Sequence, residues 1–333
     1  MNTATANEIE VDPHEPHWIT HIAFPILVLF FVISQVSMGF AIYHHNYWVA
    51  VPLVFVTSHL MHGMLIGFHE ATHGLLRKSR LLNEIDGLII GTLSLMSFSL
   101  YRAAHQLHHA YLASERDEEL WPFIHPTMPR WWRVLAAILE LTMGIFFTPF
   151  LFVRTFVRSG SPIRNKKLRR RIWREYVGTI VFWIVGLSVI GYFHLWTYFL
   201  WLHVAPAWLA ANMQSVRKYV EHVGLTGGTV NSSTRSIVTE GWMAAFLNFT
   251  LLHEPYHGVH HWRSGLPHPE LPRHRAALEP TVPEERPPFR SFGAAVYDTL
   301  INLADPKVGA QWRGVTVLTR KERAAQQAAV TNV

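Results

Sequence analysis

The chain has 333 residues, half of them hydrophobic and 16% charged, with no cysteine and a formal net charge of +6. Soluble domains carry roughly 25% charged residues, so this composition points to a chain embedded largely in lipid. The lack of cysteine excludes a disulfide scaffold and any thiolate metal site. The basic residues sit beside apolar segments, which fits the positive-inside rule rather than a nucleic-acid surface.

The polar N-terminal segment, residues 1–17, precedes an apolar run over 18–43 that is long enough to span a membrane. A short turn, His44, His45 and Asn46, leads into a second run over 47–68. These two predict a transmembrane hairpin whose second helix ends on His69 and His73, in the string HEATH. Ile85–Leu100 is too short to cross twice, and Val134–Val157 carries Glu140 and is flanked by Arg130, Arg133, Arg154 and Arg158. Both are expected to be interfacial or re-entrant segments that return to the side they left. Two further spans are expected at about 176–193 and 195–216, and residues 18–275 are read as one membrane domain. The remainder, 276–333, is read as a C-terminal tail, with an amphipathic helix over Phe292–Leu303.

Three histidine clusters dominate the pattern: His69 and His73; His105, His108 and His109 (HQLHH); and His257, His260 and His261 (HGVHH). On a helix, positions i, i+3 and i+4 lie near one face, so each cluster aims its imidazoles at a common region. Neutral imidazole ligates zinc, copper, iron and nickel. Eight convergent imidazoles exceed what one tetrahedral ion takes, so the arithmetic points to two metals. A shared site requires all clusters on one side of the membrane, and the basic residues agree. Arg77, Lys78, Arg80, Arg102, the run from Arg164 to Arg174, Arg217, Lys218 and Arg263 then share a face, while the opposite loop at 43–47 has no Lys or Arg. The expected topology is four spans, with the N-terminus, clusters and C-terminus cytoplasmic.

H-x-x-x-H, then two H-x-x-H-H boxes on a four-span chain, resembles the membrane fatty acid desaturase superfamily, over residues from about Trp18 to Pro269. The resemblance implies an all-α integral membrane fold with interfacial helices and a cytoplasmic histidine-rich di-iron domain. It implies two iron ions (Fe2+/Fe3+) and O2 as co-substrate. The expected reaction is desaturation of a lipid acyl chain; the alternative on the same scaffold is a hydroxylase or carotenoid ketolase. Carried over residue by residue, the metal ligands are the eight box histidines, with His222, in RKYVEHVG, as a ninth. Glu70, Asp117, Glu221 and Glu254 adjoin the boxes and are candidates to orient ligand imidazoles, and Asn248 is a candidate to hold a metal-bound water. His62 falls on roughly the same face of its span as His69 and His73. HEATH also matches the H-E-x-x-H signature of zinc proteases, but an intramembrane metalloprotease would leave the other two clusters idle. No cytochrome b5-like segment is recognisable in these residues and no cysteine is present for an iron–sulfur centre. Electrons are therefore expected from a separate donor of the ferredoxin or cytochrome b5 type, with membrane lipids as the other partners.

Overall fold

The computed structural model describes residues 11–315; residues 1–10 of the expected N-terminal segment and 316–333 of the expected tail lie outside the described residues. The chain is an all-α membrane protein. Among the described residues there is no strand, only one isolated bridge between Ile237 and Phe289. Among the described residues, four helices are long and apolar enough to cross a membrane, spanning Trp18–Tyr43, Tyr47–His73, Arg130–Val157 and Lys166–Tyr192.

Helix α1 (Ala23–Tyr43) and α2 (Tyr47–His73) form the first hairpin, joined at His44–Asn46. Helix α2 stops where Gly74 takes a left-handed conformation (φ 76°), a helix ending that glycine permits without a Cβ clash. Helices α3 (Arg80–Leu93) and α4 (Phe98–Tyr111) turn by 103° at the break between them. The break is built by N-capping: the Ser97 hydroxyl accepts from Leu100 N at 3.2 Å. Glu175 of the later helix accepts from Ser99 N at 2.9 Å, placing a carboxylate at the positive end of α4.

Helix α5 (Arg130–Val157) covers the segment expected to be re-entrant, and it is broken at Met143 (φ −127°, ψ 31°). A straight helix would set residues 132 and 154 about 33 Å apart. Yet the Trp121 ring lies 6.1 Å from the Trp132 ring and 3.8 Å from the Arg154 guanidinium carbon. Both ends of α5 therefore return to the same segment, and the bend at Met143 makes that possible. By length and hydropathy α5 qualifies as a span, whereas the expected span at 195–216 does not appear among the four.

That expected span is nevertheless helical. Helix α6 (Lys166–Tyr192) turns at Phe193–Leu195 into α7 (Trp196–Phe199), a π-helical turn (Leu200–Val204) and α8 (Ala205–His222). The tips of the two hairpins pack together: Met38, Ile42, Ala50 and Val54 meet Tyr198, Trp201 and Leu202. Gln35 Nε2 donates to Leu202 O at 2.8 Å. The far ends of α2 and α8, which carry His69, His73 and His222, thus lie together at the opposite pole. Val177, Ile180, Val181, Ile184 and Val185 of α6 are all exposed, the surface a helix presents to lipid.

The rest of the described chain closes over that pole. It contributes α9 (Val230–Ser233), α10 (Trp242–Thr250), α11 (His257–Trp262) and α12 (Phe292–Asn302). Residues 303–313, within the expected tail, pack against 123–133. The buried Arg133 donates to Pro306 O at 2.9 Å and Trp312 Nε1 donates to Phe123 O at 2.7 Å.

Candidate metal centre

All eight box histidines and His222 meet in one buried region, supplied by α2, α4, α8 and α11. His69, His73, His105, His109 and His260 place ring nitrogens within 4.8 Å of one another. His108, His222 and His261 form a second group, joined by His257, whose Nε2 lies 2.9 Å from that of His222 and 3.0 Å from that of His261.

Helical geometry explains how adjacent residues end in different pockets. A step of one residue rotates a side chain by about 100°, so His108 and His109 diverge although they are neighbours. His105 and His109, four apart, enter the first pocket while His108 enters the second. The third cluster does the reverse: His257 and His261 enter the second pocket and His260 the first. The two H-x-x-H-H boxes interlock, each lending one imidazole to the other's partner.

The nitrogen separations fit an ion in each pocket. Nε2–Nε2 distances are 3.1 Å for His105–His73, 3.0 Å for His109–His105 and 3.0 Å for His260–His109. Two nitrogens bound to one ion at about 2.1 Å lie about 3.0 Å apart at a right angle and about 3.4 Å apart at a tetrahedral one. Hydrogen bonding alone does not explain the cluster. An imidazole Nε2 has one hydrogen or one lone pair, yet His105 Nε2 and His109 Nε2 each face two other nitrogens. His69 Nε2 is buried with no hydrogen-bond partner. A cation at each convergence satisfies all of them.

Four of the outward nitrogens are held as metal-ligating histidines usually are, by carboxylate or carbonyl, while Nδ1 of His69, His109, His260 and His261 is buried without a hydrogen-bond partner. His108 Nδ1 lies 2.8 Å from Asp117, His105 Nδ1 2.9 Å from Glu119, His257 Nδ1 3.0 Å from Glu254, and His222 Nδ1 3.1 Å from Ser233 O. His69 Nδ1 sits 3.7 Å from Glu70 and 3.5 Å from Glu254. Glu221 lies 3.6 Å from His257 Nδ1, and Arg217 bonds both Glu221 and Glu254. When ionised, these five carboxylates and one guanidinium leave four negative charges, which two divalent cations would balance. Burial pushes His105, His109, His257, His260 and His261 well below the ordinary imidazole range, so they stand neutral and ready to ligate. His108 differs: burial pulls it down, but Asp117 and Glu119 outweigh that and raise it.

Two other residues singled out in the sequence, Asn248 and His62, make no hydrogen bond to these imidazoles. Asn248 belongs to α10, and its side-chain oxygen is buried without a hydrogen-bond partner while its backbone oxygen accepts from His253 N. His62 is buried on α2 but belongs to neither imidazole group. Sequence reasoning missed Glu119 and Arg217. Glu119 lies in an acidic run (DEEL) that reads as a solvated face, and Arg217 reads as a topology charge. The only available sign was a charged residue one turn before Glu221 on a helix ending in a candidate ligand.

A cavity of about 150 Å³ opens beside the centre, walled by Met64, Leu65, Phe68, Tyr101, Phe152 and Ala210. Glu119, Gln214 and Arg217 form its polar side, and the Tyr101 ring stacks on His105 at 5.5 Å. A polar cavity of about 260 Å³ lies between Gly224–Gly227 and Arg286 and Asp298; none of the nine imidazoles lines either cavity.

Comparison with known proteins adds two findings. The family model described as fatty acid desaturase matches residues 46–293. A chloroplastic omega-3 fatty acid desaturase from Glycine max is 24% identical over 132 residues, 39% of this chain and 28% of that protein. The matched stretch thus spans little more than a quarter of that relative.

Proposed function

The chain belongs to the fatty acid desaturase family, and from that premise we propose that it is a membrane-bound, O2-dependent oxidoreductase that introduces a double bond into a lipid acyl chain. The carrying observation is the convergence of nine imidazoles into two pockets, with an apolar cavity that meets them through Tyr101 and Glu119, both in contact with His105. In this reading His69, His73, His105, His109 and His260 hold one iron, and His108, His222, His257 and His261 hold the other. When bound, the two ions supply the redox chemistry that activates O2, which zinc, lacking redox change, does not provide. The protein's own part is positioning. Asp117, Glu119, Glu254 and the Ser233 carbonyl fix the imidazole planes and tautomers. Phe68, Tyr101 and Phe152 exclude water and hold methylenes against the centre.

The metalloprotease alternative suits this geometry poorly. Glu70 approaches the Nδ1 edge of His69 beside Glu254, not the face where the Nε2 atoms converge, so it is badly placed to serve a metal-bound water. The proposed orientation puts the imidazole pole and both termini in the cytoplasm, on the side of the basic residues. A separate acidic donor, of the ferredoxin or cytochrome b5 type, would dock on that surface and bind more weakly as salt rises.

The test is expression in a host lacking the activity, with mass spectrometry of its lipids and carotenoids. Loss of two hydrogens from an acyl chain supports desaturation. Gain of one oxygen identifies a hydroxylase, and replacement of two hydrogens by one oxygen a ketolase. His108→Ala should abolish the product whichever it is; an active variant would remove His108 from the ligand set.

A further inference from the structure

Among the described residues, Glu254 is the one carboxylate that approaches imidazoles of both pockets. Its Oε1 lies 3.0 Å from His257 Nδ1, and its Oε2 lies 3.5 Å from His69 Nδ1. The other carboxylates serve one pocket each, Asp117 through His108 and Glu119 through His105. Arg217 Nη1 donates to Glu254 Oε1 at 2.5 Å and to Glu221 Oε1 at 2.8 Å. Glu254 is 1% exposed and the Arg217 side chain 14%. Glu254 Oε2, His69 Nδ1 and Arg217 Nε have no hydrogen-bond partner, so Glu254 meets His257 through a hydrogen bond and His69 through a longer electrostatic contact. Arg217 also faces the apolar cavity.

We propose that Arg217 and Glu254 are positioning residues that couple the two metal pockets: Arg217 fixes one carboxylate, and that carboxylate orients a ligand in each pocket. This rests on the two-metal reading of the imidazole cluster. Removing a partner that orients a metal-bound histidine lowers metal affinity about 10–100-fold, so the pattern of losses across variants reads out the wiring.

The test is stepwise cobalt(II) binding to the purified, detergent-solubilised chain without oxygen, followed by visible absorption and elemental analysis. Asp117→Asn and Glu119→Gln should each weaken one binding step and leave the other within error. Glu254→Gln should weaken both steps, by about 10–100-fold each. Arg217→Met should weaken both in the same way, and Arg217→Lys, which keeps the charge, should recover most of the loss. The coupling is overturned if Glu254→Gln weakens one step only, or if Arg217→Met leaves both unchanged. Should Glu254→Gln fail to fold, the Arg217→Met and Arg217→Lys pair decides the question alone. A wild-type chain that binds fewer than two ions fails a different claim, the two-metal reading itself, before any variant is compared.

Discussion

Glu140 of α5 and Lys218 of α8 form a buried ion pair, with Glu140 1% exposed, and the Tyr219 hydroxyl donates to the same carboxylate at 3.1 Å. The pair ties the bent helix to the helix that delivers Arg217, Glu221 and His222. Removing one member of a buried pair leaves an uncompensated charge and costs about 3–5 kcal/mol. Lys218→Met should therefore lower the thermal midpoint in detergent sharply, and Lys218→Met with Glu140→Gln should restore part of the loss. A single variant as stable as the double would show the pair contributes nothing.

The contact between α5 and α8 is set by a missing side chain. A Cβ on Gly144 would stand 2.6 Å from Ser215 Oγ and 2.9 Å from Ala211 O. Gly144→Ala should cost about 1–3 kcal/mol by overpacking. Gly178, on α6, has nothing within 4 Å of its added Cβ, so Gly178→Ala should be neutral or stabilising. Equal thermal midpoints for the two variants would refute this account of Gly144.

Arg133 is 3% exposed and donates to Pro306 O, Met128 O and Asp305, with Trp312 packed 4.3 Å from its guanidinium. Arg133→Ala leaves buried carbonyls unpaired, at about 1–3 kcal/mol for such a group. Cleavage by protease within 303–313 should accelerate while the transmembrane helices stay protected. Unchanged cleavage would mean the segment is held by other contacts.

His253 and His268, both buried, face each other with Nδ1 atoms 3.2 Å apart. Burial lowers His253 from 6.5 to about 4 and lowers His268 as well. With folded values below unfolded ones, the unfolded chain binds more protons across that window. The contribution of this pair to stability is therefore flat above about pH 6.5 and falls as pH drops from 6.5 toward 4. His253→Asn suits the left-handed backbone there (φ 55°) and does not titrate. It should make the acid limb shallower in melts recorded from pH 7 to 4; an unchanged slope would assign that limb to other groups.

Metal that binds only the folded chain adds stability that grows with occupancy, about 2.7 kcal/mol at a hundredfold excess over Kd. A strong chelator should lower the thermal midpoint of the metal-loaded protein, and iron(II) should restore it. His260→Ala and His257→Ala should each retain part of the shift, because they leave opposite pockets intact. A midpoint indifferent to chelation would argue against ions bridging α2, α4, α8 and α11.

Much of the site was legible in the sequence because helical periodicity is local. The spacings in HEATH, HQLHH and HGVHH fix which imidazoles share a helix face, and hydropathy fixes which runs are long enough to cross lipid. His222 came from the family resemblance rather than from periodicity, and the structure brings it to His257. The bend in α5 was foreseeable only as a parity argument, although Gly144, directly after the break at Met143, marks a weak point in the helix.

What the tertiary structure decided was partnership between segments far apart in the chain. No local pattern tells that His260 joins His109 while His261 joins His108, that Glu119 rather than Glu115 meets His105, or that Arg217 brackets Glu254 from 37 residues away. Periodicity orients a side chain about its own helix axis, but the neighbour it meets depends on how helices pack, and packing is a property of the whole chain.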